Sequence, residues 1–103
     1  MMQLFKNMFT NYSIFAGTLI KLDLSSWDVS NVENMLGMFD GCNLIKELNL
    51  SGWDTSNVTD MRWMFCDCDS LDTLNLSGWN TTNVTNMCAM FASCKLLKKL
   101  DLS

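Results

Sequence analysis

The sequence predicts an α/β solenoid with one short parallel strand and one short helix per repeat, on three observations. The segment LNLSGWDTSNVTDMRWMFCDC, from Leu48 to Cys68, recurs as LDLSSWDVSNVENMLGMFDGC from Leu22 to Cys42 and as LNLSGWNTTNVTNMCAMFASC from Leu74 to Cys94. Every offset is 26 residues, a step kept by Leu22, Leu48, Leu74 and Leu100, by Trp27, Trp53 and Trp79, and by Val32, Val58 and Val84. A fixed period in the twenties marks units too small to bury their own apolar face, which stack to share one core. Within each unit, finally, the apolar period switches from strand-like alternation to helix-like spacing.

Taken in order, the chain opens with Met2, Phe5, Met8, Phe9 and Tyr12 at helical spacing, and the MF pair at 8 and 9 echoes those at 38 and 39, 64 and 65, and 90 and 91. Residues 1–21 are therefore a degenerate N-terminal cap, as terminal units of stacked arrays are usually atypical. Full repeats follow at 22–47, 48–73 and 74–99, and 100–103 begins a truncated one, so residues 1–103 make a single repeat domain. In LIKELNLSGW, the spacing of Ile45, Leu48, Leu50 and Trp53 predicts a short strand with Leu48 and Leu50 inward. In SNVTDMRWMFCDC, Val58, Met61, Met64, Phe65 and Cys68 form the stripe of an amphipathic helix of about three turns. Ser30 followed by Glu33 reads as a capping box, and Ser56 and Thr82 occupy the same place, so helix starts are expected near 30, 56 and 82. Strands pairing in parallel with helices behind them give a leucine-rich-repeat-like arc.

Composition narrows the function classes. The chain has 103 residues, about half of them apolar, and a net charge of -4, which disfavours a nucleic-acid surface. Its apolar runs are broken by Asn, Ser and Thr, so no membrane span of roughly 20 apolar residues is expected. Asn7, Thr10, Asn11 and Ser13 likewise interrupt any signal-peptide core. Histidine is absent, no glycine-rich phosphate loop is present, and no Ser or Cys stands beside a plausible base, so the chain reads as no enzyme and as needing no cofactor. Cys42, Cys68 and Cys94 share one ladder position and read as buried, reduced thiols. Cys66 and Cys88 are extras, and Cys66-x-Cys68 lacks the C-x-x-C spacing of a zinc knuckle, so no metal site is expected. Asn31, Asn57 and Asn83 are read as a polar ladder bonding backbone at the turns, and Asp28, Asp54 and Asn80 as turn formers.

The run W-D-x-S-N-V-x-x-M-x-x-M-F-x-x-C-x-x-L-x-x-L-x-L-S, carried by Trp27 to Ser51 and Trp53 to Ser77, resembles the BspA-like leucine-rich repeat surface proteins, repeats common in mycoplasma-type surface lipoproteins. Trp79 to Leu102 repeats it with Asn80 and Thr82 in place of Asp and Ser, while residues 1–21 match only through Met8 and Phe9. The resemblance implies a non-catalytic binding or adhesion module at the cell surface or secreted, and carries over no site residues. The chain departs from that context by lacking a signal peptide, a lipobox cysteine and a long array, as expected of a piece or a minimal relative.

The candidate contact surface is the outward side of the strands: Lys21, Asp23, Glu47, Asn49, Thr73, Asn75 and Lys99, polar positions that vary while the leucines between them do not. Trp63, off the buried stripe, is the candidate anchor outside the sheet. The expected function is protein binding, to a host or neighbouring-cell surface protein. The alternative is a structural or scaffold fragment that binds nothing alone. Strands at about 4.8 Å spacing expose a face of only some 200 to 250 Å², against about 800 Å² per partner in a specific interface, so binding by one copy should be weak. The final KLLKKLDLS follows the fourth strand with no further helix, and self-association through residues 95–103 is expected there.

Overall fold

The computed structural model of the chain describes residues 3–4 and 20–103. The expected cap over residues 1–21, with its helical spacing and its MF echo, lies almost wholly outside the described residues.

Among the described residues six strands follow in order: β1 (Gln3–Leu4), β2 (Ile20–Asp23), β3 (Val32–Asn34), β4 (Ile45–Asn49), β5 (Thr73–Asn75) and β6 (Lys99–Asp101). A four-stranded parallel sheet takes them in the order β2-β4-β5-β6, and β1 pairs with β3 in a separate parallel pair. The sequence step becomes spatial register here, because Leu22 pairs with Leu48, Leu48 with Leu74 and Leu74 with Leu100. Alternation along each strand then sorts the side chains. Leu48, Leu50, Leu74 and Leu76 are buried, whereas Asn49 and Asn75 between them face out.

The second half of each unit differs from expectation. Among the described residues there is no helix, and an α/β leucine-rich-repeat-like solenoid with a helix per repeat is therefore not the fold. The stripe residues Val58, Met61, Met64, Phe65 and Cys68 are indeed buried, but they reach the core from consecutive tight turns. The N–H groups of Met64, Cys66 and Cys68 bond back three residues, to Met61, Trp63 and Phe65, where an α-helix would bond back four. Those of Met61, Trp63, Phe65 and Asp67 donate across to the carbonyls of Asn86, Cys88, Met90 and Ala92 in the next repeat, at 2.9 to 3.0 Å. Met35, Gly37, Phe39 and Gly41 do the same to Asp60, Arg62, Met64 and Cys66 at 2.8 to 2.9 Å.

Backbone handedness explains why a helix cannot form. Gly37 and Gly41 hold φ of 61° and 76°, and the residues one repeat on, Trp63 and Asp67, hold 56° and 58°. A right-handed helix cannot run through left-handed residues at every fourth position. Positive φ at the third residue of a four-residue turn, with the bond closing behind it, is the geometry of a type II turn. Spacing matters too. Packed helices need 8–10 Å between axes, whereas the rings here stack at short range: Phe39 on Phe65 at 5.7 Å, Phe65 on Phe91 at 5.5 Å and Trp53 on Trp79 at 6.0 Å. Repeats advancing in such steps have no room for a layer of helices.

Polar side chains complete the ladders. The Oδ1 of Asp23, Asn49, Asn75 and Asp101 accepts from the N–H two residues on, closing the turn after each strand. Asp28, Asp54 and Asn80 do so at the second corner, and Asn34, Asp60 and Asn86 at the third. The hydroxyls of Ser30, Ser56 and Thr82, expected as helix caps, donate instead to Asp28, Asp54 and Asn80. Asn57 and Asn83 bridge repeats, their Nδ2 groups donating to the carbonyls of Ser30 and Ser56 at 2.7 and 2.6 Å. Thr55, buried, accepts from the N–H of Asn80 and donates to its carbonyl, both at 3.0 Å. Among the described residues no buried side-chain N or O lacks a partner.

Candidate functional site

The sheet's outward face carries a shallow groove of about 270 Å³, lined by Lys21, Leu22, Asp23, Glu47, Leu48, Asn49, Thr73 and Asn75. Parallel register produces it, since Lys21, Glu47 and Thr73 fall in one row and Asp23, Asn49 and Asn75 in another. A second depression, of about 410 Å³, continues the face past Thr73 and Asn75 to Lys98, Lys99 and Asp101. The structure thus brings Lys21, Asp23, Glu47, Asn49, Thr73, Asn75 and Lys99 onto one surface.

Many polar groups on this face are already engaged. Lys21 and Glu47 form an ion pair at 3.1 Å, both side chains substantially exposed, so the pair contributes little to stability. Asp23 accepts from the hydroxyl and N–H of Ser25, and these bonds hold its carboxyl below the usual carboxylate range. Asn49 and Asn75 spend their Oδ1 on the turns, and Thr73 donates its hydroxyl to Asp72 at 2.8 Å. Lys99 and Lys98 are exposed, their backbone N–H groups both bonded to the carbonyl of Asp72.

Trp63 lies elsewhere. Its N–H is part of the second ladder, its side chain is 47% exposed, and it lines neither depression on the strand face. A left-handed backbone turns the indole out of the core that Met61, Met64 and Phe65 enter on either side.

Two clusters escaped the sequence reading. Asp60 accepts bidentately from Arg62, with Nη2 at 2.8 Å, and this lowers the Asp60 carboxyl. Asp40, Cys66 and Asp67 bring their ligand-type atoms within 4.8 Å of one another. Burial and the charge of Asp67 push the Asp40 carboxyl up, and burial raises the Cys66 thiol as well. Zinc accepts both thiolate and carboxylate, but its closed sites take four ligands, and this cluster offers three. The signal for this cluster was the repeat step itself, which stacks Asp40 on Cys66, rather than any local spacing.

Cysteines in the shared ladder carry reduced thiols, Cys42 and Cys68 buried and Cys94 partly so. The Sγ of Cys68 donates to the carbonyl of Phe39 at 3.2 Å, and that of Cys94 to Phe65 at 2.9 Å. These contacts are structural. Among the described residues, no helix is long and apolar enough to cross a membrane.

Comparison with known proteins adds one finding. A family model described as "Mycoplasma protein of unknown function, DUF285" matches residues 3–102. No curated protein matches the chain significantly, and no solved structure does.

Proposed function

Since the chain belongs to the DUF285 family, whose description assigns no activity, we propose from the site's geometry that it is a non-enzymatic protein-binding repeat module of the BspA-like surface type. The carrying observation is the groove across the strand face, where parallel register gathers residues of successive repeats into polar rows along the strands. Lysine at 21 and 99 with carboxylates at 23 and 47 gives that face mixed charge, suited to a polar protein segment. A face this small binds weakly as one copy and gains through repetition along an array.

One observation favours the second reading, a scaffold unit without binding activity of its own. Asp23, Asn49, Asn75 and Thr73 are occupied by local hydrogen bonds, and Lys21 by Glu47, which leaves few free groups to a partner.

The test uses the full chain against a panel of purified extracellular glycoproteins. Its variants are the triple reversal Lys21→Glu, Glu47→Lys, Lys99→Glu, and separately Trp63→Ala. The proposal expects the reversal to abolish binding at unchanged melting temperature, since exposed positions seldom shift stability by more than about 0.5 kcal/mol. Loss with Trp63→Ala alone moves the site to the turn side. Absence of binding by the unaltered chain leaves the scaffold reading.

A further inference from the structure

Trp63 is a large side chain whose placement the core does not explain. It sits in the middle repeat, with a repeat packed on either side, and is still 47% exposed while Met61, Met64 and Phe65 around it are fully buried. Its φ of 56° is left-handed, a conformation that strains a bulky side chain and that Gly37 holds freely one repeat earlier. Asp67, Ala89 and Ser93, which share that backbone, are all short. The chain thus bears strain to hold an indole in water.

That indole also lacks what the other rings have. Phe39, Phe65 and Phe91 stack in parallel, as do Trp53 and Trp79, whereas the column of Trp63 holds Gly37 before it and Ala89 after it. Neither neighbour has a ring to cover it. Trp53 and Trp79 donate their Nε1–H to the carbonyls of Leu24 and Leu50, but that of Trp63 meets no acceptor among the described residues. An aromatic face and an N–H donor are available together.

Charge decides what fits them. Segments 24–44 and 50–71, which connect strands of the four-stranded sheet, carry Asp28, Glu33, Asp40, Asp54, Asp67 and Asp69, and their one base, Arg62, is forked onto Asp60. Lys21, Lys46 and Lys99 lie instead in the strands. The turn side is therefore acidic. Asp67 matches Trp63 in its left-handed backbone and its exposure, and their N–H groups donate alike to Ala92 and Cys88, so both side chains leave the same side of the repeat. The carboxylates of Asp67 and Asp40 come within 4.8 Å of each other, and neither belongs to an ion pair among the described residues.

We propose that the turn face around Trp63 docks a basic segment of a partner protein, with an arginine laid over the indole and its guanidinium bonded to Asp67 and Asp40. Arginine suits the place better than lysine, because its planar fork stacks on a ring and meets two carboxylates at once. A purely apolar anchor would leave those carboxylates unmatched. This surface is separate from the strand-face groove and stands whether or not that groove binds.

The test titrates the full chain, under reducing conditions, into two dye-labelled peptides read by fluorescence anisotropy. One has a central arginine flanked by lysines, and the other has citrulline, the uncharged isostere, in place of the arginine. The arginine peptide should bind at least about tenfold more tightly. Trp63→Leu should weaken it roughly fivefold and Trp63→Phe much less, since a ring face remains. Asp40→Asn with Asp67→Asn should weaken it too, whereas Asp28→Asn with Asp54→Asn, at another corner, should not. Were Trp63→Leu to lower the melting temperature, Asp67→Asn alone, at an exposed position, carries the test. Equal binding of the two peptides, binding indifferent to Trp63→Leu and Asp67→Asn, an equal loss with Asp28→Asn and Asp54→Asn, or no binding overturns the proposal. Loss confined to the triple reversal at Lys21, Glu47 and Lys99 would place the peptide in the strand-face groove and overturn it as well. Concentration-dependent dimers of the chain alone, dispersed by Trp63→Leu, would make a second copy the occupant and do the same.

Discussion

The indole of Trp53 donates its Nε1–H to the carbonyl of Leu24, 2.8 Å away in the preceding repeat, while its ring lies parallel to that of Trp79 at 6.0 Å. One side chain thus ties three repeats together while being 1% exposed. Trp53→Ala should lower stability by about 3 to 5 kcal/mol, the range for deleting a buried large side chain. Trp53→Phe keeps a stacked ring and loses the hydrogen bond, so a smaller loss is expected. Trp27→Ala, at a half-buried site, should fall between. Urea melts that found Trp53→Ala and Trp27→Ala equally mild would contradict the stacked ladder.

The left-handed positions give an opposed pair of substitutions. Gly41 holds φ of 76° with open space where a Cβ would go, so Gly41→Ala meets no clash and should lose only the backbone preference, roughly 1 to 2 kcal/mol. Ala89, exposed at φ of 54°, occupies the position of Gly37, and Ala89→Gly should stabilise by roughly 1 kcal/mol. If Ala89→Gly destabilised the chain instead, helix formation around that residue would have to be reconsidered.

These same positions show where the sequence was legible and where it was not. The ladders of Leu48, Trp53, Phe65 and Cys68 follow from the repeat step alone, because a residue type kept at a fixed offset must stack if the units pack in register. Strand position and outward polar rows followed from alternation, which is why the strand-face residues do lie together. The turn segment was misread because Val58, Met61, Met64, Phe65 and Cys68 satisfy a three-residue turn period as well as a helical one. Gly37 and Gly41 carried the distinction, as two glycines four apart inside one amphipathic stripe disfavour a helix. Trp63, Asp67, Ala89 and Ser93 concealed it by taking the same backbone without glycine. Asp40 meeting Cys66 went unread because contacts between repeats follow the repeat step and not local spacing.

Thiol reactivity should report the same layering. Burial, with the charge of Asp40 added, pushes the Cys42 thiol up to about 12, and burial raises that of Cys68 as well. Thiolate is the reactive form, so both should resist a disulfide-exchange reagent at about pH 8 until the chain unfolds. Cys88, exposed, should react first, with the part-buried Cys66 and Cys94 slower. Mass mapping of a timed labelling series would show the order. Early modification of Cys68 would mean that the stack opens locally at that repeat.

Acid should loosen the corners. Hydrogen bonds from Ser25, Ser30, Ser56 and Ser103 hold the carboxyls of Asp23, Asp28, Asp54 and Asp101 below their ordinary value of 3.8. A carboxyl lowered by folding contributes stability that is fully present above its unfolded pKa and is lost as pH falls through the folded one. Asp40 works in the opposite sense. Burial and Asp67 raise it, so its ionised form opposes folding near neutrality and protonation on acidification relieves that cost. The melting temperature should therefore hold steady from about pH 7 to pH 5 and fall below about pH 4, where the lowered group outnumbers Asp40. Asp28→Asn with Asp54→Asn removes two titrations while keeping the turn acceptor that Asn80 already supplies at the equivalent corner. Its acid limb should be shallower than that of the unaltered chain, and Asp40→Asn should raise stability at pH 7 more than at pH 3. An acid limb as steep in the double variant as in the parent would assign the acid sensitivity to groups other than these corners.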